Sequence, residues 1–175
     1  YDWSEDVNLI YYPEAQRWRG GVAMQEGEFK FRATDDWAVN YGGSIDDPTL
    51  VFNGPDNFVL DEETVAADYA IELDFSEPLN YTYSVHRWGL IGSAVPPYDW
   101  SEDVDLTWDE TNEVFTVEIT LVDGLIKFRA DDDWGVNWGG SLDAMSQDGA
   151  DMPVTAGTYT VTLNPWDGVA TLTAK

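Results

Sequence analysis

Lys127 and Arg129 stand two residues apart in the run Lys127-Phe128-Arg129-Ala130-Asp131-Asp132-Asp133-Trp134-Gly135-Val136-Asn137-Trp138-Gly139-Gly140. On an extended strand with Phe128 turned inward, the pleat sends both cations out on the opposite face, about 7 Å apart. Long donors beside tryptophans suit one kind of chemistry, hydrogen bonding to the hydroxyls of a neutral polar ligand whose apolar face rests on an indole. The competing reading is a ladder of salt bridges to nearby Asp and Glu, because the chain holds 34 acids against 8 Lys and Arg. Trp134, Val136 and Trp138 share one parity, so at least one of the two tryptophans belongs to the core. Trp134 reads as structural and Trp138 as ligand-facing. Asn137 has the opposite parity, and it converges with Trp138 only if a bulge intervenes.

The same residues occur earlier in the chain. At an offset of 97, Tyr1-Asp2-Trp3-Ser4-Glu5-Asp6-Val7 matches Tyr98 to Val104, and Lys30-Phe31-Arg32-Ala33 matches Lys127 to Ala130. Asp35-Asp36-Trp37 matches Asp132 to Trp134, and Asn40-Tyr41-Gly42-Gly43-Ser44 matches Asn137 to Ser141. Of the first 45 residues, 21 are identical to their partners, which is duplication. The first copy therefore offers Trp3, Lys30, Arg32, Asn40 and Tyr41 where the second offers Trp100, Lys127, Arg129, Asn137 and Trp138. Trp37 pairs with Trp134 as structural, and Tyr41 with Trp138 as ligand-facing. Trp3 and Trp100 sit in an Asp-Trp-Ser-Glu-Asp run, a setting too polar for an ordinary core tryptophan.

A repeat this long makes each copy a self-contained domain, residues 1–86 and 87–175. Strand signals dominate both. Phe115, Val117, Ile119 and Leu121 alternate with polar residues, as do Tyr159, Val161 and Leu163, and Ile126, Phe128 and Ala130 alternate with Leu125, Lys127 and Arg129. Turn clusters such as Asp123-Gly124 and Asp131-Asp132-Asp133 separate them. The expected fold is all-β, two tandem antiparallel β-sandwich domains of immunoglobulin-like type. Copy two opens with Trp88 to Pro97, for which copy one has no counterpart. The first domain therefore reads as lacking its opening strand, with an edge that another chain could occupy.

The charge excludes several functions. At a formal −26 the chain is repelled by nucleic acid and by polyanionic glycans. No apolar run approaches a membrane span, so direct insertion is not expected. With no cysteine and a single histidine, His86, thiolate and multi-histidine metal sites are ruled out, and His86 reads as structural. Asp131-Asp132-Asp133 and Asp148-Gly149-Ala150-Asp151 offer oxygen ligands for a structural Ca2+, without the spacing of an EF-hand. The paired acids Asp35-Asp36 and Asp132-Asp133 are weak candidates for glycoside hydrolysis. Their side chains diverge on a turn, and among 34 acids some pair meets any spacing rule by accident. High acidity, absent cysteine and nine tryptophans suit a secreted or cell-surface bacterial module.

Three strings carry a family resemblance: Trp88 to Ala94, Phe29 to Gly43, and Ala156-Gly157-Thr158-Tyr159-Thr160-Val161. They are similar to the carbohydrate-binding repeats of the SusE/SusF family, outer-membrane lipoproteins of bacterial polysaccharide-utilisation systems. The resemblance implies tandem β-sandwich modules on the extracellular face of the outer membrane. Such modules bind starch without cleaving it, beside other outer-membrane glycan-uptake proteins. It implies an aromatic platform of Trp100 and Trp138 with Lys127, Arg129 and Asn137 bonding hydroxyls, and Trp3, Tyr41, Lys30, Arg32 and Asn40 in copy one. It also places an asparagine near the Asp-Gly loop, filled by Asn57 in copy one, with Met152 at the aligned place in copy two. The expected activity is thus non-catalytic polysaccharide binding with no cofactor beyond that cation. The alternative is a structural or adhesive module whose repeated aromatics dock a protein partner.

Overall fold

The computed structural model describes residues 3–175. The fold is all-β: the described residues form antiparallel strands and no helix. Two compact units emerge, Tyr1–Ala67 with Ile71–Val85, and Asp68–Ala70 with His86–Lys175. Strand Thr82–Ile91 contributes its first four residues to the first unit and its last six to the second.

In the second unit, alternation decides which residues are buried. Along Val114–Leu121, Phe115, Ile119 and Leu121 are buried while Glu118 and Thr120 are exposed. This strand pairs with Gly157–Asn164, so that Phe115 faces Leu163 and Val117 faces Val161, and Thr107–Asp109 and Val169–Ala174 flank them. A second group centres on Gly124–Ala130. On one side it pairs with Asp133–Ser141 and Met152–Val154, and on the other with Trp88 to Ile91. Phe115, Phe128, Leu90, Leu163 and Val161, each fully buried, fill the space between.

The hairpin from Gly124–Ala130 into Asp133–Ser141 turns through Asp131 and Asp132, both at φ 56°. In the first unit Thr34 and Asp35 occupy the same turn at φ 59° and 53°. Two consecutive left-handed residues match the twist of a tight hairpin, and Asp tolerates that region better than most side chains. Just beyond the turn the register jumps. Arg129 faces Asn137 and Ala130 faces Asp133, so Trp134, Gly135 and Val136 face no residue of the partner strand. Arg32, Asn40, Ala33 and Asp36 repeat the arrangement, which frees Trp37, Ala38 and Val39.

Burial separates the two copies. Phe128 and Ala130 are sealed, whereas their identical counterparts Phe31 and Ala33 are half-buried and exposed. Trp88 to Ile91 covers the edge of Gly124–Ala130, while among the described residues Phe31–Ala33 pairs only with Asp36–Ser44. The first core is correspondingly small, with Leu50, Phe58, Ile71, Leu73 and Tyr83 buried. Truncating a sealed phenylalanine costs about 3–5 kcal/mol. Phe128→Ala is therefore expected to lose that much in urea unfolding. Phe31→Ala, which removes a ring already partly in water, should lose on the order of 1–2 kcal/mol. Equal losses would mean that the covering strand does not set burial.

Candidate functional site

The bulge turns a strand position into a platform. Because Trp134 to Val136 are unpaired, the parity expected from sequence breaks between Trp134 and Asn137, and the roles of the tryptophans reverse. Trp134 is 43 % and Trp37 42 % exposed. Trp138 packs against the second core with its centroid 6.4 Å from that of Trp88. Tyr41 packs with Phe52, Phe75 and Tyr81, and burial raises its hydroxyl pKa. The sequence reading of Trp138 and Tyr41 as ligand-facing, and of Trp134 and Trp37 as core, is corrected on this point.

Asparagine closes each bulge. Asn137 is 2 % exposed and donates through Nδ2 to the Trp134 carbonyl at 2.9 Å and to Asp148 Oδ1 at 2.8 Å. Asn40 donates in the same way to the Trp37 carbonyl at 2.8 Å and to Asn53 Oδ1 at 3.2 Å. Asp133 Oδ1 and Asp36 Oδ1 accept from the backbone N–H groups of Gly135 and Ala38 inside the bulge. The Asn Oδ1 atoms themselves are buried and have no partner among the described residues.

The exposed indole then meets the tryptophan of the polar run. Trp3 and Trp37 have centroids 5.9 Å apart with planes at 59°, and Trp100 and Trp134 stand 6.2 Å apart at 41°. The arginines lie against these rings, with Arg32 Cζ 4.7 Å from the Trp37 centroid and Arg129 Cζ 4.9 Å from that of Trp134. Each guanidinium is also fixed by an acid. Arg32 Nε donates to Asp6 at 2.7 Å, and Arg129 Nε to Asp103 at 2.6 Å. The arginines therefore hold the indoles in place by cation–π contact and ion pairing, with Nε committed to the acid. Asp6 and Asp103 were not singled out from sequence, although their recurrence at the same offset as the arginines was the available signal.

In the first unit these groups converge on an open cleft of about 340 Å³ lined by Trp3, Lys30, Trp37, Asn40 and Asn57. Gly42 makes the approach of the far wall possible, because a Cβ there would lie 2.0 Å from the Asp56 carbonyl oxygen. Lys30 Nζ donates to the Gly54 carbonyl at 2.6 Å, and Asn57 Nδ2 to Glu28 at 2.9 Å, which ties the 54–57 loop beside the indoles. Of the first-copy residues singled out from sequence, Trp3, Lys30 and Asn40 line this cleft with Trp37 and Asn57, and Arg32 and Tyr41 are not among its lining residues.

The second unit differs at one wall. Pairing sets Phe29 opposite Phe58 and Ile126 opposite Met152, so Met152 corresponds to Phe58, and Asp151 corresponds to Asn57. The alignment of Met152 with Asn57 is corrected accordingly. Asp151 Oδ1 lies 4.0 Å from Lys127 Nζ, an ion pair where the first copy has a neutral amide.

The acidic turns have protein partners. Asp131 engages His86 Nδ1 at 2.7 Å and the Arg87 backbone N–H at 2.8 Å, Asp132 binds the Arg87 guanidinium, and Asp148 accepts from Asn137 and Gln147. Among the described residues, no group of three or more His, Asp or Glu converges as ligands of one ion. The chain matches no protein-family model, no curated protein and no solved structure.

Burial pushes the Asp103 carboxyl up to about 6, with Arg129 opposing and Asp132 and Asp105 adding to the rise. Its Oδ2 is buried with no hydrogen-bond partner among the described residues, a place where a proton is welcome. A folded-state value above the unfolded one means that the native protein holds this proton longer. The stabilisation is complete below about pH 4 and is lost as pH rises through 6. An NMR titration of side-chain carboxyl carbons should place the Asp103 midpoint near pH 6. Urea stability should fall less between pH 4 and 6 in Asp103→Asn than in the parent protein.

Proposed function

We propose that this protein binds a neutral extracellular polysaccharide without cleaving it, through two tandem immunoglobulin-like β-sandwich modules. The observation that carries the reading is the first-unit cleft, in which two half-exposed indoles, a lysine and two amides share about 340 Å³. That volume lies at the lower end of small-ligand sites, the scale of one or two sugar rings. A pyranose offers an apolar C–H face to the indoles and equatorial hydroxyls to Lys30 and Asn57, while Asn40 holds the bulge beneath Trp37. Tilted aromatic pairs such as Trp3 with Trp37 suit a curved chain, and 34 acids disfavour any anionic glycan.

The resemblance to SusE/SusF repeats makes starch-type α-glucan the first polymer to try. It also supports a location at the extracellular face of the outer membrane, beside glycan-uptake proteins. No step in this reading uses a cofactor or breaks a bond. The modules hold the polymer, and two sites on one chain raise its local concentration if a single polymer reaches both.

Affinity electrophoresis in gels containing polysaccharide, followed by calorimetry with oligosaccharides, tests the reading. Trp37→Ala should weaken first-unit binding at least tenfold, a change of about 1.4 kcal/mol. Tyr41→Phe should leave binding unchanged, since that ring packs inside. Asp151→Asn should strengthen the second site by restoring the amide found in the first and releasing Lys127. If no neutral glycan retards the protein, or if Trp37→Ala binds as the parent does, the proposal fails.

A further inference from the structure

A second aromatic pair, outside the cleft, distinguishes the two copies. Tyr11 of strand Ile10–Tyr12 faces Trp18 of strand Arg17–Met24, with ring centroids 5.0 Å apart and planes at 38°. At the offset of 97 their counterparts are Trp108 and Phe115, which face each other at 5.1 Å and 51°. In the second unit a third ring covers the pair. Trp166 sets its centroid 5.8 Å from that of Trp108 and 6.2 Å from that of Phe115, with its plane at 78° and 63° to theirs. Phe115 is fully buried there and Trp108 half-buried.

The turn that carries Trp166 is present in the first unit with a different residue in its place. Tyr69 and Tyr159 fix an offset of 90 between strands Ala67–Asp74 and Gly157–Asn164, which sets Ser76 against Trp166. Hydrogen bonding gives the same match. Trp166 N–H donates to Asn164 Oδ1 at 3.1 Å, and Ser76 N–H donates to Asp74 Oδ1 at 2.9 Å. The Ser76 hydroxyl also turns back to Asp74 Oδ1, at 2.6 Å. Tyr11 and Trp18 are 46 % and 41 % exposed, and among the described residues no third ring covers them. The difference lies within a turn that both copies possess.

We propose that Tyr11 and Trp18 form a docking site for a tryptophan side chain of a basic protein partner, which takes the place that Trp166 fills in the second unit. The second unit shows that such a cross-strand pair accepts an indole edge-on, an arrangement that aromatic quadrupoles favour. Tryptophan anchors of this kind carry much of the binding energy of protein interfaces. The surroundings favour protein over sugar. The turn that bears Ser76 also presents Leu79, 98 % exposed at φ 68°, an aliphatic side chain with nothing to offer a hydroxyl. Charge sets the sign of the partner. Phe75 N–H donates to the Gln16 carbonyl at 3.1 Å, which joins the 13–16 turn to this one, and each turn exposes an acid, Glu14 and Glu77. The neighbouring cation, Arg17, is already committed to Asp74 at 2.7 Å and Glu72 at 3.5 Å. Lysine or arginine beside the incoming indole therefore meets complementary charge.

The test is an NMR titration of the whole chain with a short peptide that holds one tryptophan between two lysines, against the same peptide with alanine at its centre. The tryptophan peptide should shift the side-chain N–H resonance of Trp18 saturably, and the alanine peptide should not. Trp37→Ala should leave that shift unchanged, which separates this site from the glycan cleft. Ser76→Trp supplies the indole from within the chain, so it should weaken peptide binding at least tenfold and raise the urea midpoint of the first unit. Trp18→Leu makes the same comparison without enlarging the turn, and should also lose binding, read from the Tyr11 ring protons. No shift at millimolar peptide, equal shifts from both peptides, or a Trp18 shift given by an α-glucan oligosaccharide and not by the peptide would each overturn the proposal. So would undiminished binding by either folded variant.

Discussion

Three residues that step out of the strand ladder organise each unit. Once Arg129 faces Asn137 while Ala130 faces Asp133, the backbone between must leave the sheet, and it carries Trp134 out with it. Backbone released from a ladder needs other partners. Asn137 and the carboxylate of Asp133 meet that demand by bonding the Trp134 carbonyl and the Gly135 N–H. The same amide is thereby committed to the scaffold at Nδ2, and its Oδ1 is the part left over. Indole exposure, arginine stacking and the cleft all follow from this one irregularity.

The strands were legible because half-buried strands must alternate, and Val114–Leu121 does so residue by residue. The grouping of Trp3, Lys30 and Asn40 was legible because duplication marks positions that recur outside the apolar pattern. The orientation of the tryptophans was not. Counting parity across Trp134, Val136 and Trp138 assumes an unbroken ladder, and the interruption is encoded by Asp133 and Asn137, polar residues that look like ordinary turn and surface positions. The match of Asp151 with Asn57 was hidden for another reason. The two copies differ in length between Ser44 and Tyr69, and only cross-strand pairing, Phe29 with Phe58 and Ile126 with Met152, fixes the correspondence.

Identical sequence does not give identical surroundings here. Phe31 and Phe128 share their neighbours along the chain, yet one is half-buried and the other sealed, because among the described residues a covering strand reaches only the second. Arginine and acid keep their link in both units, so the geometry beside the indoles survives the difference. Local side-chain bonding maintains the platform, and long-range strand pairing sets how deeply the core beneath it is sealed.

The close passage of the 54–57 backbone over Gly42, repeated by residues 149 and 150 over Gly139, separates shape from recognition. The glycine fixes the path of the main chain, and side chains on that path are free to vary without moving it. Asn57 and Asp151 already show one such exchange on a shared trace. A single substitution in this loop therefore changes the charge beside the indoles, as Asn57 and Asp151 do, while the hydrophobic side chains packed below keep their places.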